Sequence, residues 1–530
     1  MKVTHIPFKN TGFFSKTMLD YLEKSEKTTL FYGEFPSIEG FKNQIDYKSN
    51  TFSSTTRTTL VSVLKKQYKK VESSIKTQQN IDDLLLDNTF TITTGHQLNL
   101  FTGPLYFLYK ILSVINLSEE LKTAFPTKKF VPIYWMATED HDFEEINFFN
   151  FKDKKVQWNS SQTGGVGRFS TDGLAEVCKV FSTHLGTTKN AEFLKELFTN
   201  GYVKYTNLAD ATRYIANQLF KEYGLVIVDA DDATLKKEFT PFVEQELLEQ
   251  TSFNEVSKTI LELENSYKIQ VNPREINLFY ISEGIRERII FEDGVYKVNN
   301  TVISWSKNEI FALLATNPEC FSPNVIMRPL YQEVILPNLC YVGGGGELAY
   351  WMQLKGYFDK VAIPFPMLLL RNSVQIVSEK QSKKLEKLNI SLEEMFVNQS
   401  DLLAKKIKEV SSIDLDFSAQ KEFLQQQFSD LKNIAKKTDV SFVGAVNAQE
   451  KKQLNGLDNL EKRLLRAEKR KQNELVDRIT TLQNELLPNQ SLEERQRNFS
   501  EFYLAYGQEF IKVLKDNLRP LQLEFTVLEL

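Results

Sequence analysis

Three polar segments carry residue types that do chemistry, and each directly follows an apolar run. The first is Gly95-His96-Gln97, continuing to Thr102 and Gly103. A glycine after a strand lets the backbone turn tightly and lets a ligand come close. A helix N-terminus beyond it offers free N–H groups and a positive dipole end to an anion. His96 adds a protonatable donor for a phosphate or carboxylate. The second segment is Glu139-Asp140-His141-Asp142. Four consecutive ionisable groups after an apolar strand are costly without partners. Asp140, His141 and Asp142 suit acid/base work or the holding of an amine, and the block could meet a Mg²⁺ ion. His141 reads as a base oriented by a neighbouring carboxylate. Zinc does not fit, because adjacent residues cannot all face one metal and no third histidine or cysteine is suggested, so no protein-held metal site is expected.

The third segment is Gly343 to Gly346 with Glu347. Four glycines ahead of a helix suit a loop that cradles an anion, with Gly343, Gly344 and Glu347 at the ligand. No Lys-Ser/Thr follows, so this is not a P-loop. Arg328 and Gln332 in MRPLYQE, and Arg371 after the last apolar run, add groups that could bind carboxylate or phosphate. Plainer readings compete at each place: a turn with a surface histidine, capping by Asp140 or Asp142, a flexible glycine connector, a surface salt bridge.

The elements that must position these groups are legible around them. Thr89, Thr91 and Thr93 alternate with Phe90 and Ile92, which predicts a strand. Thr102 is placed to cap the next helix and Pro104 suits its first turn. Leu105, Leu108, Tyr109, Leu112 and Ile115 recur at helical spacing, and residues 130–136 read as a buried strand. Strand, helix, strand at this length is a βαβ unit with parallel strands. Further buried strands are expected at 225–228, 339–342 and within 361–370. Ligands of such sheets bind beyond the carboxyl ends of the strands, so one edge would collect all three polar segments. The long stretches 150–220 and 233–320 read as inserted subdomains within a core spanning 1–373.

After Arg371 the character changes. Between 374 and 487 proline and glycine become scarce, and Leu457, Leu460, Leu464 and Ala467 follow 3–4 spacing. Leu475, Ile479, Leu482 and Leu486 resume it after an offset near Lys471, which predicts a coiled-coil seam with a stutter. Leu424, Phe428, Leu431 and Ala435 form a similar stripe. Two long helices with a turn near 439–444 would make an antiparallel arm, and 488–530 would return to the body. The basic run 462–471 is interspersed with glutamates and reads as a solvated helix face.

The bulk numbers set the class. With 530 residues the chain exceeds one ordinary core. It is 42% apolar with a net charge of -4, which gives no pull toward nucleic acid or an anionic membrane. Three cysteines without metal or disulfide spacing suit a reducing compartment. No signal peptide or membrane span is apparent, so a cytoplasmic enzyme is expected. The fold class expected from these patterns is α/β: a parallel-sheet core with inserted subdomains and a long antiparallel α-helical coiled-coil arm.

Longer motifs carry a resemblance. TTGHQLNLFTGPLYFLYK looks like a GQQ-x-x-LFTGPLY-x-x-YK segment, and YWMATEDHDFEEIN resembles a W-x-A-x-EDHD-F-x-E block. SPNVIMRPLYQEVILPNLCYVGGGGELAYWMQLK, LEKRLLRAEKRK and SLEERQRNFSEFYLAYGQEFI match further blocks of the same family. It is the family of cysteine-adding enzymes of bacillithiol biosynthesis, the BshC type. His96 replaces the family's usual first glutamine, and Glu333 stands where an aspartate is common.

The resemblance implies addition of L-cysteine to glucosaminyl-malate, the last step of bacillithiol synthesis. It also implies that the core is a Rossmann-like, nucleotide-binding parallel-sheet fold with inserted connective subdomains, and that the coiled coil mediates a homodimer. The product is an amide, so a carboxyl group must be activated; ATP is the natural cofactor, with Mg²⁺ as its companion. Carried over, Gly95, His96, Gln97, Thr102 and Gly103 form the first ligand loop. Asp140, His141 and Asp142 supply acid/base or amine-binding groups, and Arg328, Gln332, Gly343, Gly344 and Glu347 close the crevice. Two other classes remain open: a metal-dependent hydrolase centred on Glu139 to Asp142, and a non-catalytic nucleotide-sensing coiled-coil scaffold.

Overall fold

Five strands form an all-parallel sheet: β1 (Thr89–His96), β2 (Lys129–Met136), β3 (Val226–Asp229), β4 (Asn338–Gly343) and β5 (Met367–Leu370). The computed structural model describes all 530 residues. Spatial order is β5-β4-β1-β2-β3. The chain therefore starts in the middle, runs outward through β2 and β3, then crosses back to place β4 and β5 on the other side. The direction reverses between β1 and β4, and a crevice at such a switch point is where open α/β sheets bind ligands.

The threonine alternation in β1 predicts the strand correctly, but its polar residues do not face water: all eight positions are buried. A central parallel strand is covered on both faces. The hydroxyls are satisfied inside. Thr93 donates to Asn338 Oδ1 at 2.8 Å and Thr94 to the Val342 carbonyl at 2.7 Å, which ties β1 to β4.

Helix α1 (Tyr106–Ala124) covers the sheet and is itself buried from Phe107 to Ser118. Its other face meets the C-terminal segment, where Asn116 donates to the carbonyls of Lys515 and Leu518. Thr102 does not cap this helix. Phe101, Thr102 and Gly103 all take positive φ, at 48°, 69° and 63°, and no side chain caps Tyr106. The C-terminal segment holds the turn instead. Asn498 Nδ2 donates to the carbonyls of Phe101 (2.8 Å) and Gly103 (2.6 Å), and the Leu105 N–H donates to the Arg497 carbonyl at 2.7 Å.

The first insert contains a hairpin (Phe148–Phe151, Lys154–Gln157) and helices Leu174–Leu185, Lys189–Phe198 and Leu208–Phe220. Its aromatic rings gather on Phe101: Phe149, Phe181 and Phe198 lie 5.2–5.5 Å from it. The second contains α2 (Ala233–Glu249), helix Thr251–Leu263 and a five-stranded antiparallel sheet built from strands between Leu278 and Pro323. Both inserts share one continuous apolar core with the parallel sheet. Beyond the second insert come α3 (Arg328–Ile335) and α4 (Gly345–Met352), which flank β4.

Residues 374–377, expected to open the arm, form a strand instead. It pairs in parallel with Phe525–Glu529, which pairs antiparallel with Lys2–Ile6. The two chain ends and the arm's base thus share one small sheet. The projecting hairpin is α5 (Ser418–Ala435) and α6 (Val440–Lys471), the latter about 48 Å long at 1.5 Å per residue. Asp439 caps α6 by accepting from the Ser441 and Phe442 N–H groups, so the turn falls at 436–439 and Gly444 lies inside the helix. The stutter is a helix break at Gln472, after which α7 (Asn473–Leu486) buries Ile479, Leu482 and Leu486 on the body. Along the hairpin only Phe428, Ala435 and Val446 are buried together, with Leu424 and Val443 beside them. No helix is long and apolar enough to cross a membrane.

Asn498→Ala should remove both bonds to the Phe101–Gly103 turn. Each buried carbonyl left unsatisfied costs about 1–3 kcal/mol. A lower midpoint of denaturant unfolding is expected, and an unchanged midpoint would show that the turn holds itself.

Candidate functional site

A cavity of about 660 Å³ lies along the carboxyl ends of β1, β2 and β4, at the switch point. The antiparallel sheet of the second insert walls it on one side, and Arg495 of the C-terminal segment enters from another. Seven cationic side chains line it (Lys110, Arg274, Arg286, Arg288, Arg328, Arg371 and Arg495) against three carboxylates (Glu139, Asp140 and Glu347). The whole chain is net negative, so this positive lining is local and focuses a field on anions.

The floor is built from a buried pair. Lys110 of α1 donates to the Gly95 carbonyl at 2.8 Å and meets Glu347 Oε2 at 2.6 Å. Glu347 also accepts from the Tyr341 hydroxyl and the Gly344 N–H, each at 2.8 Å. Burial pushes the Lys110 ammonium down. It pushes the Glu347 carboxyl up, but Lys110, the Gly344 N–H and the Tyr341 hydroxyl together hold it below its ordinary value, so the pair is ionised. Gly95 has no room for more: a Cβ there would lie 3.2 Å from the Tyr341 hydroxyl.

Above this floor several buried polar atoms of cavity-lining residues have no hydrogen-bond partner in the protein. Arg328 donates to Gln332 at 3.1 Å and lies over the rings of Trp135, Tyr341 and Trp351, but one terminal nitrogen is buried and unbonded. Arg371 holds Glu494 through both terminal nitrogens while its Nε is unbonded. His96, edge-on to Tyr106, leaves Nε2 unbonded. Burial, reinforced by the charge of Lys110, drives the His96 pKa down to about 3. His96 therefore meets a ligand as a neutral imidazole, not as the cation its residue type suggests.

The Glu139–Asp142 block is divided by its partners. Asp140 accepts from Gln97 Nε2 at 2.9 Å and from the His141 N–H at 2.7 Å. His141 Nδ1 lies 2.6 Å from the Arg286 guanidinium, which sits over the Phe279 ring, and the His141 ring packs tilted against the same phenyl. Burial and the Arg286 charge lower the His141 pKa. Arg286 can only donate, so Nδ1 accepts and the neutral ring carries its proton on Nε2. His141 then presents a donor to the cavity, which is the opposite of the expected base. Asp142 points to solvent and does not line the cavity. Glu139 is buried against Lys236.

Gly95, His96, Gln97, Asp140, His141, Arg328, Gly344 and Glu347 thus come together, while five expected residues do not. Thr102 and Gly103 sit in the left-handed turn under Asn498. Gln332 is buried behind Arg328, which it orients. Gly343 serves packing, since a Cβ there would lie 2.9 Å from the Tyr341 ring. Lys110, Arg286 and Arg495 were not expected. Lys110 had a signal, a lone cation in an otherwise apolar helical run; Arg286 and Arg495 had none. No group of three or more His, Cys, Asp or Glu is placed to hold a metal ion, so the acidic block does not form the ligand set a metal-dependent hydrolase needs.

Fold and site together define a Rossmann-like α/β protein whose switch-point cavity is lined by more cationic than anionic side chains. Residues 1–372 match the model described as "Bacillithiol biosynthesis BshC, N-terminal Rossmann-like domain", and 374–530 match that for the BshC "C-terminal coiled-coil domain". The chain belongs to the BshC family of bacillithiol biosynthesis. It is 55% identical over 523 residues to a protein of Flavobacterium johnsoniae named "Putative cysteine ligase BshC", covering 99% of both chains. A Flavobacterium psychrophilum protein of the same name is 56% identical over 525 residues, again with 99% of each covered. One from Bacillus cytotoxicus is 25% identical, covering 93% of this chain and 94% of that one.

An unfolded histidine titrates near 6.5, against about 3 for buried His96. Between those values the unfolded chain binds the extra proton, so His96 costs stability as pH falls below 6.5, by at most about 1.4 kcal/mol per pH unit. His96→Gln should flatten the loss of melting temperature between pH 6.5 and 4.5. Equal slopes for the two proteins would show that His96 titrates normally.

Proposed function

We propose that the protein is a ligase that joins the carboxyl group of L-cysteine to the amine of glucosaminyl-malate, forming the amide of bacillithiol in the last step of its assembly. The observation that carries this reading is the cavity's excess of cations over carboxylates at the switch point of a parallel sheet. A malate group brings two carboxylates and a nucleotide brings phosphates, and Arg328, Arg371 and Arg495 suit such charges through planar, bidentate donors. Gly344 and Gly346 let backbone approach a phosphate at the N-terminus of α4.

ATP, when bound, supplies the activation that amide formation in water requires. Gly95, His96, Arg328, Gly344 and Arg371 would hold it, and Mg²⁺ would enter with the phosphates, since it keeps much of its own water shell. Gln97 braces Asp140, and Arg286 fixes the His141 ring so that its Nε2–H can donate to a carboxyl oxygen of the substrate.

Incubation with glucosaminyl-malate, L-cysteine, Mg²⁺ and ATP should yield bacillithiol, read by mass spectrometry, together with AMP or ADP. Equal yield without nucleotide would remove the ATP step, and absence of product in every mixture would remove the ligase reading.

The arm supports a second proposal, a homodimer. Phe423 and Ile434 are 67% and 57% exposed, and eleven residues apart they share one stripe of α5. Singly exposed apolar residues are ordinary, but two on one face of a projecting helix offer a second arm a place to pack. Sedimentation should give twice the 61.3 kDa chain mass. Phe423→Glu combined with Ile434→Glu should give the single mass with the body still folded; an unchanged dimer would place the interface elsewhere.

A further inference from the structure

The three carboxylates of the cavity are not equally free. Glu347 spends both oxygens, on Tyr341 through one and on Lys110 and the Gly344 N–H through the other. Asp140 spends both, on Gln97 and on the His141 and Asp142 N–H groups. Glu139 commits only Oε1, which lies 2.5 Å from Lys236 Nζ. Its Oε2 accepts nothing from the protein, and the residue lines the cavity. The carboxyl group is held from behind. Lys236, itself buried, also meets Asp231 at 3.0 Å and donates to the Glu319 carbonyl, and Arg168 grips Asp231 through two nitrogens at 2.8 and 3.0 Å. This chain of alternating charges, Arg168–Asp231–Lys236–Glu139, fixes one carboxylate at the edge of a strongly cationic space.

We propose that Glu139 Oε2 is the recognition point for the primary ammonium group of a substrate, the one place in the cavity that selects a positive charge. The inference rests on the ligase reading, in which both the amino acid and the amino sugar carry such a group. An ammonium ion needs an anionic acceptor to leave water. Seven cations around it would repel it everywhere else. The arrangement makes the cavity discriminate: anionic ends of a ligand are drawn to the arginines, and its amine is placed beside β2. Burial raises the Glu139 carboxyl above its ordinary range, with Asp231 adding to the rise against the pull of Lys236 and Arg286. That is the setting in which a carboxylate gains most from a cationic guest.

The test is calorimetric binding of two ligand pairs to the full chain at neutral pH. One pair is glucosaminyl-malate with glucosyl-malate, which lacks the amine; the other is L-cysteine with 3-mercaptopropionate. The wild-type protein should prefer the amine-bearing member of at least one pair by about tenfold or more, the scale of one charge-assisted hydrogen bond. The pair that shows it identifies which amine Glu139 receives. Glu139→Gln should bind both members of that pair alike, with affinity for the deaminated member kept within about threefold. Glu139→Asp, which keeps the charge, should restore part of the preference and stands in if the glutamine variant does not fold. Preference retained in Glu139→Gln, or no preference for the amine in the wild-type protein, would overturn the inference while leaving the ligase reading intact. Failure of the wild-type protein to bind any of the four ligands would remove both.

Discussion

The buried pair between Lys110 and Glu347 is the contact on which the site depends. Lys110 belongs to the helix after β1 and Glu347 to the helix after β4, so the pair bridges the line where the sheet changes direction. Its ties to the Gly95 carbonyl, the Tyr341 hydroxyl and the Gly344 N–H bind both strand ends and the glycine loop into one unit. A charge in such a place is tolerated only with a partner and further hydrogen bonds. Here every ligand-facing element at the switch point contributes one. Apart from Arg371, which holds Glu494, the cavity arginines can then stay without a carboxylate partner, because the floor neutralises itself.

The C-terminal segment is the second organising element. Arg371, at the end of β5, is locked to Glu494 at 2.8 Å. Asn498 and the Arg497 carbonyl hold the turn before α1, and Arg495 reaches the cavity between them. A domain boundary at residue 373 separates two stretches of sequence but not two functional units. The coiled-coil domain starts and ends in a sheet on the body and helps to build the cavity wall.

The three polar segments were visible because each breaks an apolar run, and the parallel sheet could be read from strand and helix spacing around them. The arm was visible in its leucine spacing, though only a short part of the seam is buried and its turn lies a few residues earlier than glycine placement suggested. Thr102, Gly103, Gln332 and Gly343 looked like ligand contacts because their residue types suit loops that bind anions. Each serves packing or the orientation of a neighbour instead. Asp142 shares its neighbours' chemistry, yet the backbone turns it outward.

By itself the sequence determined the family, the α/β class, the strands of the sheet and the segments that end at its carboxyl edge. All of these are local patterns: periodicity, turn residues and runs of like chemical type within one stretch. Tertiary structure alone decided which charges are free. Glu139, Asp140 and Glu347 are equivalent carboxylates in a string of letters, and they differ only because Lys236, Gln97 and Lys110 arrive from elsewhere in the chain. The same holds for His96 and His141, a neutral imidazole through burial and a donor through the arrival of Arg286. Proton position and free lone pairs are set by neighbours within a few ångströms, and those neighbours are chosen by the fold.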